Sequence, residues 1–288
     1  GENFSMSNLA ICTSQEVNGV SRLHGDVSKK MFNDLWQGYQ VEESHIGYVT
    51  NGVHYGTWIS KDWQNLHNKT FGAGFLNNLS DSSYWSKIYD VNDEVLWNIK
   101  EKHREKLISY VKEKLHENWT QRFEDPKRLV KITQSISSKT LTIGFARRFA
   151  TYKRAYLLFS NLERLSKIVN NPERPIQFIF AGKAHPNDKP GQAMIKEIVR
   201  ISKLSEFVGK IIFMENYDMN LARQLVQGVD IWLNTPTRPL EASGTSGMKA
   251  VMNGAMNFSV LDGWWCEGYK EGAGWALPEK RTYDDQEF

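Results

Sequence analysis

Apolar residues after position 139 fall into short runs, and stretches with apolar residues at three- and four-residue steps separate those runs. The runs predict strands at TLTIGFARR (140–148), PIQFIFAG (175–182), KIIFMEN (210–216), VDIWLNTP (229–236) and MNFSVLDG (256–263). The stretches between them predict helices over 152–169, 191–207 and 218–227, and near Met248. Strands that alternate with helices are typical of βαβ units and of a parallel sheet. We therefore predict an α/β fold with a Rossmann-like parallel sheet flanked by helices.

Before position 140 the chain lacks this alternation. A long helix is predicted over about 92–123, because apolar residues form one stripe along it and lysines and glutamates cover the remaining surface. Up to about residue 63 the sequence is irregular apart from one helical stretch after Asn18-Gly19, and it holds too few regular elements for a sheet domain of its own. We therefore predict two dissimilar parts, residues 1–60 and residues 61–288, of which the first is the end of a larger unit.

Composition and charge argue against several classes of protein. With 36 basic and 33 acidic side chains, a net charge of +3 is too balanced to indicate nucleic acid as a partner. No apolar run approaches the roughly 20 residues that span a bilayer, and the first residues do not resemble a signal peptide. Cys12 and Cys266 lie far apart, which argues against a disulfide framework and for a reducing, cytoplasmic location. His24, His54 and His185 lack metal-ligand spacing, so no metal site is expected.

Ligands of such sheets bind outside the carboxyl ends of the strands, so the loops after the strands are the candidate site. In GFARRFATYKRA the cations Arg147, Arg148, Lys153 and Arg154 surround one strand–helix turn. Cations beside a helix N-terminus suit a dianion such as phosphate. A solvated basic turn is the alternative, and the position at a strand's carboxyl end favours the anion site.

A second loop, EASGTSGMK, places small residues over 244–247 at a predicted helix start. Backbone amides there can approach an anion closely because few side chains obstruct them. Lys249, two residues further on, has three interpretations: a solvated lysine, a phosphate contact, or a Schiff base to pyridoxal phosphate. The third is plausible chemically because the aldehyde and the phosphate arm are neighbouring substituents of that ring. Neither GxxxxGK[ST] nor GxGxxG occurs.

Five sequence blocks carry a resemblance to a known family. They are VNGVSRLHG (17–25), TNGVHYGTW (50–58), FARRFATYKRA (145–155), ENYDMNLA (215–222) and RPLEASGTSGMK (238–249). Together they closely resemble the glycogen/α-glucan (maltodextrin) phosphorylase family, in its shorter bacterial-type branch. The resemblance covers nearly the whole chain, and the EASGTSGMK block is highly specific.

The resemblance implies a GT-B fold, in which two Rossmann-like domains face each other across a cleft. It implies transfer of glucose from the non-reducing end of an α-1,4-glucan to inorganic phosphate, which gives glucose 1-phosphate with retention. Pyridoxal phosphate would be held as a Schiff base, with its phosphate acting as a proton relay. Residues 1–60 would be the tail of the N-terminal domain and 61–288 an incomplete C-terminal, cofactor-binding domain. Because the glycine-rich phosphate-facing loop of the N-terminal domain has no match here, we expect a fragment that is inactive alone.

The family's cofactor positions carry over residue by residue. Lys249 matches the lysine that forms the Schiff base. Thr245 and Ser246 match the turn that holds the cofactor phosphate, although Ser246 replaces a glycine of the long-form enzymes. Arg147 matches a basic residue that reaches the same phosphate, and Tyr217 matches a residue near the cofactor.

The substrate positions carry over in the same way. Arg148 and Lys153 match the clamp on the substrate phosphate and, with Lys249, the catalytic positions. Residues that match contacts to the glucosyl unit are Asn51, Tyr152, Glu241, Ser243 and Gly244. Gln15 stands where many relatives have histidine, which leaves one sugar contact in doubt.

Two other functions remain open from the sequence. One is a GT-B nucleotide-sugar glycosyltransferase without pyridoxal phosphate, in which Arg148 and Lys153 would bind a diphosphate and Lys249 would be an ordinary contact. The other is a non-catalytic glucan-binding fragment. The expected partners are α-glucan, inorganic phosphate and the missing N-terminal domain of the same polypeptide, with no membrane and no nucleic acid. The oligomeric state is open, and a homo-oligomer is compatible with the sequence.

Overall fold

A computed structural model describes residues 4–122 and 125–277. Up to residue 92 the elements are α1 (Met6–Thr13), β1 (Val17–Gly19), α2 (Arg22–Met31), β2 (Ile46–Tyr48), α3 (Tyr55–Trp58), α4 (Lys61–Phe71) and α5 (Ser82–Ser86), with 3₁₀ turns at Asn33–Leu35, Val41–Glu43, Phe75–Asn77 and Lys87–Asp90. From residue 93 onward they are α6 (Asp93–Arg122), α7 (Pro126–Ser135), β3 (Leu141–Ala146), α8 (Leu162–Val169), β4 (Ile176–Ala181), α9 (Lys189–Ser202), β5 (Ile211–Met214), α10 (Met219–Gly228), β6 (Ile231–Asn234), α11 (Thr245–Val251), β7 (Met256–Val260), α12 (Trp265–Gly268) and β8 (Gly274–Leu277).

The main sheet has six parallel strands in the order β5-β4-β3-β6-β7-β8. The chain runs outward from β3 through β4 to β5 and then returns to β6 on the other side of β3. Strand order therefore reverses between β3 and β6, and ligands of doubly wound sheets bind at such a switch point. This result confirms the predicted α/β class and the parallel sheet.

Helices cover both faces of this sheet. Side chains alternate between the two faces along each strand, so neighbouring residues of one strand pack against different helices. On β4, Phe178 and Phe180 belong to one apolar cluster, which packs against α8 and α9. Ile179 and Ala181 belong to the other cluster, which contains side chains of α6, α10 and α11. The helix with Lys249 therefore packs on the same face as the long helix α6.

Two of the predicted helices differ from the structure. The helix predicted over 152–169 is wrong in its first half, which forms 3₁₀ turns at Thr151–Lys153 and Ala155–Phe159, so α8 begins only at Leu162. The chain turns at Arg154, whose φ is 47°, and its guanidinium donates to the backbone oxygens of Thr235 and Pro236 over 3.0 Å each. The predicted helix N-terminus beside the four cations is therefore absent from this turn. The helix predicted over 191–207 is α9, which ends at Ser202.

Other boundaries agree more closely, and some elements were not predicted. The helix predicted over 92–123 is α6, and Phe123 lies outside the described residues. The pattern did not predict α7 or β8, and the first part contains more helix than expected. Its only strands within the described residues are β1 and β2, which pair in parallel over three residues each.

The first part of the chain packs directly against the second. Ser21 Oγ donates to Ala242 O over 2.7 Å, and the backbone N–H of Arg22 donates to Glu267 Oε2 over 3.0 Å. Thr50 Oγ1 donates to Glu267 Oε1 over 2.8 Å. These contacts hold the first part against the loop that follows β6 and against α12. A domain boundary at residue 60 stays a prediction. None of the helices within 4–122 and 125–277 combines the length and apolar character needed to cross a bilayer.

Candidate functional site

The carboxyl ends of β3 and β6 adjoin at the centre of the sheet and carry a buried arginine. Arg147 directly follows β3, and Asn234 is the last residue of β6. One terminal nitrogen of the Arg147 guanidinium donates to Asn234 Oδ1 and, over 3.4 Å, to Glu241 Oε2. The other donates to Ser246 Oγ over 3.2 Å. Arg147 thus connects both strand ends to the loop and the helix that follow β6.

Glu241 lies between two buried cations. Its Oε2 accepts hydrogen bonds from Lys153 Nζ and from Arg147, and each of the three side chains is at most 9% exposed. Burial, reinforced by the nearby Arg147, lowers the pKa of Lys153 to about 8, and burial also lowers the pKa of Arg147. This ionic cluster of Arg147, Lys153 and Glu241 contains two cations and one carboxylate. One positive charge therefore has no counter-ion within the cluster.

Several buried polar atoms of this region also lack partners. Arg147 Nε and Ser243 Oγ have no hydrogen-bond partner among the described residues. Buried donors in folded proteins are nearly always paired, because an unpaired one loses its bonds to water without replacement. The surplus positive charge and the unpaired Arg147 Nε together indicate a site that suits an anionic ligand with oxygen acceptors.

The loop after β7 holds the Glu241 loop in place. Asp262 Oδ2 accepts from the backbone N–H of Glu241 over 3.0 Å, and its Oδ1 accepts from Gly263 N–H over 2.8 Å. Burial raises the pKa of Asp262 to about 6. A Cβ on Gly263 would lie 2.4 Å from Ser243 O, so only glycine permits this close approach. The backbone N–H of Trp264 donates to the same Ser243 O over 2.8 Å.

The helix α11 begins at the predicted small-residue turn. Gly244 precedes it with φ 84°, a left-handed conformation that glycine adopts without strain. Ser246 Oγ accepts from Arg147 and from Trp232 Nε1, each over 3.2 Å, so it links the helix start to β6. A Cβ on Gly247 would lie 2.9 Å from Asn257 Nδ2, which explains the small residue there. Thr245 is half-buried at the first position of the helix.

Lys249 lies near the end of α11 and contacts an aromatic ring from the first part of the chain. Its Nζ is 3.9 Å from the centroid of the buried Trp58 ring. The lysine is half-buried, and burial lowers its pKa. Tyr217 is half-buried and packs against the same apolar cluster as Trp58. Burial raises the pKa of Tyr217, whereas the positive charge of Arg147 acts in the opposite direction.

The remaining predicted residues lie outside the ionic cluster. Arg148 is exposed and hydrogen-bonds the Tyr152 side chain. Tyr152 is half-buried, with its ring centroid 4.7 Å from Lys153 Nζ, and burial raises the pKa of its hydroxyl. Asn51 is exposed, and its backbone N–H donates to Val20 O over 3.0 Å. The structure therefore separates the buried pair Arg147 and Lys153 from the exposed Arg148.

Sequence analysis missed several residues that build this site. Asp262 and Asn234 have no predicted role, yet they fix the positions of Glu241 and Arg147. The signal for Asp262 is an Asp-Gly pair at the carboxyl end of a predicted strand. Trp58 belongs to one of the five blocks, but only the fold shows that its ring meets Lys249. Within 4–122 and 125–277, no group of three or more His, Cys, Asp or Glu side chains is placed to hold a metal ion.

Comparison with known proteins identifies relatives along the whole chain. A model of the carbohydrate phosphorylase family matches residues 1–271. A glycogen phosphorylase of Aquifex aeolicus (strain VF5) is 45% identical over 285 residues, which are 99% of this chain and 41% of that protein. A maltodextrin phosphorylase of Thermococcus litoralis is 44% identical over 288 residues, 100% of this chain and 34% of that protein. A glycogen phosphorylase of Mycobacterium bovis is 42% identical over 283 residues, 98% of this chain and 32% of that protein.

The chain spans about two fifths or less of the length of these three relatives. The family match includes both strand ends, the ionic cluster and Lys249. It thereby confirms the resemblance carried by the five sequence blocks. On this match, the chain belongs to the carbohydrate phosphorylase family.

Proposed function

We propose that the chain is the cofactor-holding part of an α-1,4-glucan phosphorylase. The whole protein would transfer a glucosyl unit from the non-reducing end of glycogen or maltodextrin to inorganic phosphate and form glucose 1-phosphate with retention. The observation that carries the proposal is the buried cluster of Arg147, Lys153 and Glu241, which has one more positive than negative charge. Arg147 of this cluster donates a hydrogen bond to Ser246, which lies in the same helix as Lys249. The relatives named glycogen and maltodextrin phosphorylase support the substrate class.

The residues present fit pyridoxal 5'-phosphate. The amine of Lys249 would hold the aldehyde, and Thr245, Ser246 and Arg147 would hold the phosphate at the start of α11. The unpaired Arg147 Nε and the small residues of this turn support that fit, because they offer a donor and backbone N–H groups that no large side chain covers. Tyr217 would border the ring, since the positive charge of Arg147 acts on the Tyr217 hydroxyl. When bound, the cofactor supplies a phosphate group able to hold or give a proton beside the substrate phosphate.

The chain's own side chains would bind and orient the reactants. Lys153 and the exposed Arg148 would clamp the substrate phosphate, and a pKa of about 8 lets Lys153 Nζ hold a proton at neutral pH. Anions held beside the glucosyl unit stabilise its electron-poor transition state. Cations between two phosphates offset their repulsion. Holding glucan and phosphate together also raises their effective concentration.

Glu241 would accept hydrogen bonds from sugar hydroxyls rather than act as a nucleophile, because two cations already share its carboxylate. Contacts to the glucosyl unit would come from this carboxylate and from other polar groups around it: Asn51, Tyr152, Ser243 and Gly244. The unpaired Ser243 Oγ supports such a role. The opposite wall of the cleft would come from an N-terminal domain of the same polypeptide. We therefore expect no turnover by the 288-residue chain alone, and we place the protein in the cytoplasm.

Borohydride reduction tests the cofactor assignment. The 288-residue chain is incubated with pyridoxal phosphate, reduced, digested and analysed by peptide mass spectrometry. We expect a stoichiometric adduct on Lys249 and none in a Lys249→Arg protein, while Lys196→Arg, an exposed position on α9, leaves the adduct unchanged. If Lys249 carries no adduct, or only as much as Lys196, the chain belongs to a phosphorylase-like transferase that does not use pyridoxal phosphate, and the proposal is wrong.

A further inference from the structure

Asn253 follows α11 and is fully buried, and each polar atom of its side-chain amide is used. Its Oδ1 accepts from the backbone N–H of Ser60 over 2.8 Å. Its Nδ2 donates to Trp58 O over 2.9 Å and to Lys249 O over 2.8 Å. One amide therefore binds the backbone of the segment after α3 and the backbone of the α11 lysine at the same time.

These bonds close a ring of contacts around the lysine. The two residues whose carbonyls Asn253 binds, Trp58 and Lys249, also meet through their side chains, with Nζ 3.9 Å from the indole centroid. The carbonyl of Lys249 lies in the last turn of α11, where helix carbonyls lack partners within the helix. The amide satisfies that carbonyl and fixes the distance between the backbones of the lysine and the tryptophan.

The end of α11 is stabilised separately by other groups. The backbone N–H groups of Gly254 and Ala255 donate to Val251 O and Ala250 O over 2.9 and 3.1 Å, which is the hydrogen-bond pattern of a Schellman motif. Lys100 Nζ donates to Val229 O over 2.8 Å and to Asn253 O over 3.4 Å. These interactions terminate the helix through the Gly254 and Ala255 N–H groups and through Lys100, without the side-chain amide of Asn253.

We propose that Asn253 is a positioning residue, whose side-chain amide holds the amine of Lys249 over the ring of Trp58. The geometry couples the segment 58–60, which joins α3 to α4, to the placement of that amine. A shift of this segment moves the tryptophan and the lysine together rather than apart. The proposal rests on the proposed function only for the chemical use of the amine, because the placement itself requires no cofactor.

Carbon-13 NMR of reductively methylated lysines measures this placement directly. The ring current of an indole shifts methyl groups above its face upfield, so the methyl signal of Lys249 should stand apart from those of exposed lysines. Lys249→Arg identifies the signal by its loss. In Asn253→Ala the signal should lose its upfield shift, whereas Lys100→Met, which removes the hydrogen bonds of Lys100 Nζ at the end of α11, should keep it. Urea unfolding shows that each variant is folded.

Asn253→Asp provides a second variant of equal size. It keeps the acceptor for Ser60 N–H and removes the amide donor to Trp58 O and Lys249 O, so it should also lose the upfield shift. An upfield signal that persists in either folded Asn253 variant overturns the proposal. An equal loss in Lys100→Met also overturns it, because any disturbance of the helix end would then suffice. A wild-type Lys249 signal without an upfield shift overturns it before any variant is made. The cofactor is absent throughout, so a failed borohydride test leaves this result interpretable.

Discussion

Replacing Glu241 by glutamine tests whether the site contains surplus positive charge. Glu241→Gln keeps the size of the side chain but leaves Arg147 and Lys153, each at most 9% exposed, without their shared carboxylate. Removing one partner of a buried ion pair costs about 3–5 kcal/mol, because an uncompensated charge stays buried. We therefore expect the free energy of unfolding of the 288-residue chain to fall by roughly 3–5 kcal/mol.

The assay is urea unfolding followed by circular dichroism, first without phosphate or sulfate and then with inorganic phosphate. Because an anion restores the charge balance, phosphate should stabilise Glu241→Gln more than the wild type; a ligand at 100 times its dissociation constant contributes about 2.7 kcal/mol. The matched control is Glu197→Gln, which loses only a solvent-screened surface pair with Arg200 and should leave stability nearly unchanged. Equal stabilities of the two variants, with equal responses to phosphate, would refute the reasoning.

Two further predictions concern the same region. Because native Lys153 releases its proton near pH 8 and the unfolded lysine only near 10.5, the unfolded chain binds more protons between these values. The free energy of unfolding should therefore rise over that range, and rise less in Lys153→Met; identical slopes in urea titrations would contradict this. Gly247→Ala places a Cβ 2.9 Å from Asn257 Nδ2 and should destabilise by about 1–3 kcal/mol; an unchanged urea midpoint would show that the turn has room.

The sheet could be predicted from sequence because its strands are buried on both faces. Such strands are continuous apolar runs, and β3 to β7 all lie within the predicted ones. The α/β class and the Rossmann-like parallel sheet are thereby confirmed, and the GT-B type rests on the family match. The periodicity failed at 152–161, where the left-handed Arg154 breaks a segment whose apolar spacing resembles a helix. Backbone acceptors on residues 235 and 236 hold that turn, and their position depends on the tertiary fold.

The residue types of the candidate site could be predicted from the sequence, but the directions in which their side chains point could not. Spacing placed four cations at one turn, and only the fold shows that Arg147 and Lys153 point inward to share Glu241. Asp262 and Asn253 were missed because each acts through the backbone of another residue. A lone buried polar side chain leaves no periodic signal in the sequence. The roles of the site residues toward cofactor and substrate stay predictions.

The central claim is that Arg147 and Lys249 form one site for an aldehyde that carries a phosphate. Equilibrium titration by near-ultraviolet absorbance can compare pyridoxal phosphate with pyridoxal in the wild type, in Arg147→Met and in the neighbouring Arg148→Met. Since a hydrogen bond to a charged group contributes about 1.5–3 kcal/mol, Arg147→Met should lower the preference for the phosphorylated ligand by roughly 10- to 150-fold. Arg148→Met should leave that preference unchanged. An equal preference in the wild type and in Arg147→Met would contradict the claim.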